Sequence, residues 1–172
     1  MNIRQAAVAG MFYPDSEKAI SQFIGSCSSF ADTGKNGSEL PRAVIVPHAG
    51  FIYSGCTAYN TLKLWQGASD KIKTIIMIGP AHRVAFNGMA TVSSDAFSTP
   101  LGEVEIDTDM RDRLLDEFEH IGVSDLAHKD EHCLEVELPF IQNLLPDVKI
   151  VPLLNGSIES EKVFDVLNSL WQ

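Results

Sequence analysis

The chain has 172 residues, 45% of them hydrophobic, with 23 acidic and 13 basic side chains and a formal charge of −10. Its length suits one α/β domain with a real core and leaves little room for two. The acidity argues against a nucleic-acid partner, which needs a basic face, and against docking on anionic lipid; no apolar run approaches the ~20 residues that span a bilayer.

The charge is local. Residues 95–137 hold 14 acids against three bases, Arg111, Arg113 and Lys129. Such a run is either a solvated face or an attractor of a cation or basic partner. Residues 1–10 run into Phe12-Tyr13-Pro14-Asp15 with no h-region or cleavage site, so no signal peptide is read. Cys27, Cys56 and Cys133 are odd in number and widely spaced, which fits a reducing cytosol better than a disulfide framework, and a cytoplasmic location is expected.

In chain order, Asp15 is positioned to cap a helix whose apolar stripe is Ala19, Ile20, Phe23, Ile24, Cys27 and Phe30. Residues 32–38, Asp-Thr-Gly-Lys-Asn-Gly-Ser, read as a linker-like loop. Ala43 to Val46 reads as a short buried strand, and a helix follows from about Ser54, with Ala58, Tyr59, Leu62 and Trp65 on one side and Gly67 as its stop. Ile72 to Ile78 is a second buried strand. The two strands and the helix between them read as a βαβ unit, so the strands are expected to be parallel and adjacent.

Met89–Val92 and Val104–Ile106 read as shorter strands, and Asp107 or Thr108 opens a helix to about Glu119. A further helix is expected from about Glu131 to Leu145, with Leu134, Leu138, Ile141 and Leu145 on one stripe and a kink at Pro139. Lys149–Leu154 is a strand, and Ser157 or Ser160 starts a last helix. Its apolar side (Val163, Phe164, Leu167, Leu170, Trp171) reaches the final residue without a cap, so more protein is expected to pack there.

His48 lies in Pro47-His48-Ala49-Gly50-Phe51 after the first strand, and His82 in Gly79-Pro80-Ala81-His82 after the second. Ligands of open parallel sheets bind beyond the carboxyl ends of the strands. Two histidines at matching positions there are read as one shared metal site rather than two unrelated loop side chains. His128-Lys129-Asp130-Glu131-His132 fits the His-x-x-Glu-His zinc pattern, which requires a helix through both histidines and a further carboxylate ligand, for which Glu159 and Glu161 are the nearest acids. Residues 127–130 read better as the loop and cap before a helix, with Asp130 as N-cap and His132 in the first turn facing the His48/His82 crevice. A zinc peptidase through His128 and His132 is therefore a remote alternative. Cys56, in the first turn of its helix, and Cys133 read as small packing residues, although a thiol at a helix start can be activated. No phosphate loop or serine nucleophile elbow is present.

These residues resemble the Memo family, whose microbial members are called system protein B of the AmmeMemoRadiSam group. The resemblance rests on Ala9-Gly10-Met11-Phe12-Tyr13-Pro14, Pro47-His48-Ala49-Gly50-Phe51-Ile52-Tyr53-Ser54-Gly55, Ile78-Gly79-Pro80-Ala81-His82, Ser98-Thr99-Pro100-Leu101-Gly102, residues 130–140 and Val151-Pro152-Leu153-Leu154-Asn155-Gly156. Ala81 and Cys133 stand where family members often carry Ser. The resemblance implies an α/β fold with a mainly parallel central sheet flanked by helices, similar to class III extradiol dioxygenases, which use non-haem iron. It implies His48 and His82 as metal ligands, with His132 lining the pocket; His132 and Glu131 are taken as the catalytic candidates. Iron (Fe2+) is the metal expected, with copper or zinc as alternatives, and a small-molecule or peptide ligand or a protein partner is expected in the crevice. Family members continue past Gln172 and supply further metal-site residues there, so the chain is expected to be one incomplete domain with two histidines and no firm third ligand. The readings left open are dioxygenase-like redox chemistry in the complete protein and a non-catalytic binding module.

Overall fold

The structure, a computed structural model, describes residues 1–27 and 40–171. Phe30 and the loop of residues 32–38 lie outside them. The elements in order are β1 (Ile3–Arg4), α1 (Glu17–Cys27), a π-turn (Phe51–Gly55), α2 (Cys56–Leu62), a 3₁₀ turn (Lys63–Trp65), β2 (Thr74–Pro80), β3 (Met89–Thr91), β4 (Ala96–Thr99), β5 (Gly102–Glu105), α3 (Thr108–Glu117), β6 (Ile121–Val123), α4 (Asp125–Lys129), a second 3₁₀ turn (Glu135–Glu137), α5 (Leu138–Leu144), β7 (Lys149–Asn155) and α6 (Ser160–Trp171).

A four-stranded sheet, β2-β7-β3-β6, sits between helices. β2 and β7 run parallel from Thr74↔Lys149 to Pro80↔Asn155, β3 and β6 are parallel, and β3 meets β7 antiparallel. The sheet is thus α/β and mainly parallel, as expected. Pro152 is tolerated inside β7 because the β3 ladder stops at Ala90↔Leu154, so its missing N–H falls where no strand accepts among the described residues. A smaller sheet joins β1 parallel to β4 and β4 antiparallel to β5.

The core lies where the apolar stripes meet. Ile20, Ile24 and Cys27 of α1, Ala58, Tyr59 and Leu62 of α2, and Leu138 and Ile141 of α5 are all buried. The Phe51 and Phe140 rings stack at 4.3 Å between centroids, with Phe23 and Tyr59 around them. Such ring pairs add about 0.5–1.5 kcal/mol beyond their area burial.

Several expectations are corrected. Ala43–Val46 forms no strand; the segment makes no ladder and Ile45 is 97% exposed, so β2 has β7 as its one partner among the described residues and the expected βαβ pair is not formed. Apolar composition alone marks that segment as buried, and it carries no sign of which edge it meets. The helix expected from Glu131 starts instead at Leu138, and Asp130 closes α4 rather than capping α5. Pro139 then sits in the first turn of α5, where its absent N–H costs nothing and no kink results. On α6 Val166 is the buried residue, whereas Phe164, Leu167 and Trp171 are exposed.

Cys27 and Cys56, read from the sequence as thiols of a reducing compartment, form a disulfide between α1 and α2. The pairing is hidden in the sequence because 29 residues separate them. Closing a loop of that length stabilises by about 3–4 kcal/mol on chain-entropy grounds. Cys133 is free and buried.

The N-terminal strand is pinned through charge. Arg4 donates Nε and Nη2 to the His128 carbonyl at 2.9 and 2.8 Å and Nη2 to the Glu131 carbonyl at 2.7 Å, while Nη1 pairs with Glu135. Glu135, 1% exposed, also accepts the Ala7 and Val8 amides and the Tyr13 hydroxyl. Replacing Arg4 with Met is expected to leave Glu135 buried without its cation and to cost about 3–5 kcal/mol, read as a lower urea midpoint. His128 is also buried, its Nε2 bonded to the Ala90 carbonyl at 2.8 Å, and burial holds its pKa down at about 4. Unfolding restores an ordinary histidine near 6.5, so this buried neutral ring favours the fold above pH 6.5 and that contribution is lost as pH falls towards 4. The urea midpoint should drop through that window, and His128→Gln should flatten the drop.

Candidate metal centre

Three histidines converge beyond the carboxyl end of β2. His82 follows the strand by two residues, His48 ends the irregular segment 40–48, and His132 lies in the connection between α4 and the 3₁₀ turn at Glu135. Ring centroids are 5.3 Å apart for His48–His82, 5.9 Å for His48–His132 and 4.6 Å for His82–His132. Each offers a ring nitrogen, and the three nitrogens lie within 4.8 Å of one another. The sequence pairs His48 with His82 and offers no third ligand; the fold adds His132, which an expected helix register disguises as a helix-start residue.

Close packing makes the convergence possible. A Cβ on Gly79 would come 2.8 Å from both the Cys133 Sγ and a Leu134 methyl, so glycine gives these side chains their close seat against β2. A Cβ on Gly50 would sit 3.1 Å from the Phe12 carbonyl, which accepts the Phe51 amide at 2.7 Å. The Phe12 ring in turn packs on His132 at 4.4 Å.

Glu131 orients the group. Buried at 3% exposure, it accepts the His82 amide at 2.6 Å, the His132 amide at 2.9 Å and the Cys133 amide at 3.1 Å, and its Oε1 lies 2.9 Å from His82 Nδ1. Burial alone would raise its pKa, but these bonds, led by His82, outweigh it and hold the carboxyl at about 2. A carboxylate only accepts, so His82 Nδ1 must carry the hydrogen, and in the neutral ring this leaves the lone pair on Nε2. That is the carboxylate–histidine pairing by which proteins present a ring to a metal.

Burial, reinforced by the neighbouring His82, lowers the pKa of His48; burial also lowers that of His132, with help from His82, His48 and Arg83 against Glu131. Both rings are thus favoured in the neutral form that metals require. His132 Nδ1 is buried without a hydrogen-bond partner among the described residues, standing 3.1 Å from Glu131 Oε1 outside bonding geometry. An orphaned nitrogen beside a carboxylate, on a ring whose centroid is 4.6 and 5.9 Å from two other imidazoles, fits a cation. The alternative group of His82, Glu131 and Cys133 fits less well. The Cys133 thiol donates to the Pro80 carbonyl and burial pushes its pKa up, while the Glu131 oxygens already serve four donors.

His128 stands apart, turned to Ala90 and packed edge-on to Phe97. α4 ends at Lys129, so no helix runs through His128 and His132 and the His-x-x-Glu-His reading fails. Sequence reasoning missed Phe12, Arg4 and Glu135; the Gly-Met-Phe-Tyr-Pro motif signalled the first, and nothing local signalled the ion pair.

A family model for Memo-like proteins matches residues 4–171. Among curated relatives, a MEMO1 family protein of Thermococcus onnurineus is 37% identical over 99% of this chain and 59% of its own length. Those of Aquifex aeolicus and Nitrosopumilus maritimus are 34% and 30% identical, over 96% and 99% of this chain and 59% and 62% of their own. The chain therefore spans about three-fifths of the length of these relatives. With a family match that takes in all three histidines, Glu131 and the Arg4–Glu135 pair, the chain belongs to the Memo-like protein family.

Proposed function

We propose that this protein holds a redox-capable transition metal on His48, His82 and His132, with Glu131 as the carboxylate that fixes His82. The observation that carries the reading is the convergence of three ring nitrogens, two of them on rings favoured neutral, around one point open to solvent at His82. Three imidazoles suit iron, copper and zinc alike. Iron is the metal this reading takes, on the resemblance to the class III extradiol dioxygenase fold, and a bound ferrous ion would supply O₂-dependent redox chemistry in the complete protein. The chain's own part is to position and to exclude. Glu131 keeps the His82 lone pair outward, Phe12 closes one side of His132, and the exposed Met11, Ile52 and Tyr53 offer apolar surface next to the crevice for a small-molecule or peptide-borne substrate.

A second reading, a non-catalytic module that grips a peptide, rests on that same exposed surface, where Ile52 and Tyr53 are 82% and 81% exposed. Metal content separates the two. Elemental analysis of the purified protein should find about one equivalent of iron, and the His48→Ala/His82→Ala double variant should lose it; full retention in the double variant overturns the metal site. Metal-free protein that still binds peptide favours the module. Glu131→Gln, which keeps shape but removes the charge behind His82, should weaken metal affinity about 10–100-fold in a competition titration with a chelator.

A further inference from the structure

α1 holds the turn that follows His48 at two points one helical turn apart. The Phe23 ring packs on Phe51 at 4.8 Å between centroids, and a Cβ on Gly55 would come 2.9 Å from the same ring, so the backbone of the turn lies directly against it. Four residues on, on the same face of the helix, Cys27 bonds to Cys56 at the start of α2. The first hold is apolar contact. The second is covalent, and it is the one that chemistry can undo.

The other side of the turn faces the histidines. His48 precedes Gly50 by two residues, Gly50 lies against the Phe12 carbonyl, and the Phe51 amide donates to that carbonyl at 2.7 Å. Phe12 in turn packs on His132 at 4.4 Å. A shift of the turn therefore reaches one candidate ligand through the backbone and a second through a ring. The turn is itself irregular, a π-turn over Phe51–Gly55 of the kind that recurs at functional sites, with the Tyr53 and Ser54 amides sharing the Gly50 carbonyl.

Cleavage of the bridge has a direction. Cys27 is fully buried, with Ile20 and Ile24 of its helix buried beside it, whereas Cys56 is half-buried. An incoming thiolate of a dithiol therefore meets the Cys56 sulfur. It forms a mixed disulfide there and expels Cys27 as a thiolate, which takes up a proton. The second thiol of the reductant then attacks the reductant's own sulfur in that mixed disulfide; Cys56 leaves as a thiol and the reductant as a cyclic disulfide. Two thiols need more room than one disulfide, and a close-packed core does not yield it, so the half-buried end moves and takes the turn with it.

We propose that the Cys27–Cys56 bridge is a redox switch on the turn that aims His48. Oxidised, it holds the turn against α1; reduced by a dithiol, it releases the turn and weakens the grip of the three histidines on a metal. That a metal is what they grip rests on the reading above, so turn and metal are measured separately.

Amide exchange reads the turn. The reduced chain, freed of dithiol anaerobically, is compared with the oxidised chain in enough urea to make the amides of the β2–β7 ladder exchange equally fast in both. That matching cancels the loss of global stability that any broken cross-link brings. The Phe51 and Ser54 amides should then exchange at least about tenfold faster in the reduced chain. Equal rates would make the bridge a plain staple and overturn the proposal. Cobalt(II), followed by its visible absorption, reads the site. The oxidised chain should bind it at least about tenfold more tightly than the reduced chain, and reoxidation should restore the affinity. Equal affinity in the two forms also overturns the proposal, whereas exchange that responds while neither form binds cobalt upholds the switch on the turn and fails the metal reading. Cys27→Ala/Cys56→Val fills the space of the bridge without a bond. It should behave as the reduced chain does and ignore dithiol, and it carries both comparisons if the reduced chain does not stay folded.

Discussion

One guanidinium fixes the path of the chain between His128 and Glu135. Arg4 reaches two carbonyls and one buried carboxylate on that stretch, and it does so from the N-terminal strand, more than 120 residues away in sequence. With the backbone so held, the Glu131 side chain is free to turn the other way and collect the amides of His82, His132 and Cys133. The histidine group is thus built on two carboxylates four residues apart that face different partners. Glu135 carries the mechanical tie to the N-terminus, and Glu131 sets the tautomer of a candidate ligand. Burying both works because each is saturated with donors; an unpaired carboxylate in either place would be expelled or protonated. Glu137, two residues on and lacking such donors, shows the contrast, for burial alone governs it.

Periodic elements are legible in the sequence. Apolar spacing reveals the stripes of α1, α2 and α5 and the run of β7, and the position of His82 follows from the rule that ligands gather at strand ends, whereas His48 joins it from a segment that forms no strand. Anything defined by a partner distant in sequence is illegible there. Ala43–Val46 has the composition of a buried strand, yet it joins no ladder among the described residues, and Ala43 and Ile45 are exposed while Val44 and Val46 pack half-buried against the core. Cys56 has the look of a packing residue, and only the fold brings Cys27 to it. His132 has the look of a helix-start residue because Pro139 and the run behind it are helical, yet the turn before Leu138 is irregular, and that irregularity is what aims the ring at its neighbours. Arg4 gives no local sign at all.

Family membership and geometry support different statements. The Memo-like match covers nearly the whole chain and the fold is of the expected α/β kind. The three histidines form a group that could hold a metal. The local acidity also takes on meaning here. Of the acids in residues 95–137, Glu131 and Glu135 are spent inside the protein, so the segment is not simply a solvated face.

The Cys27–Cys56 bridge reaches into how such a site would be handled at the bench. Cys56 begins the helix that comes directly after the His48 segment, so the cross-link anchors the scaffold next to a candidate ligand. Were the proposed metal iron, keeping it ferrous would call for a reductant, and thiol reductants attack disulfides through thiolate exchange. Loading the metal and preserving the staple are therefore opposing requirements on the buffer, reconciled by a reductant that carries no thiol.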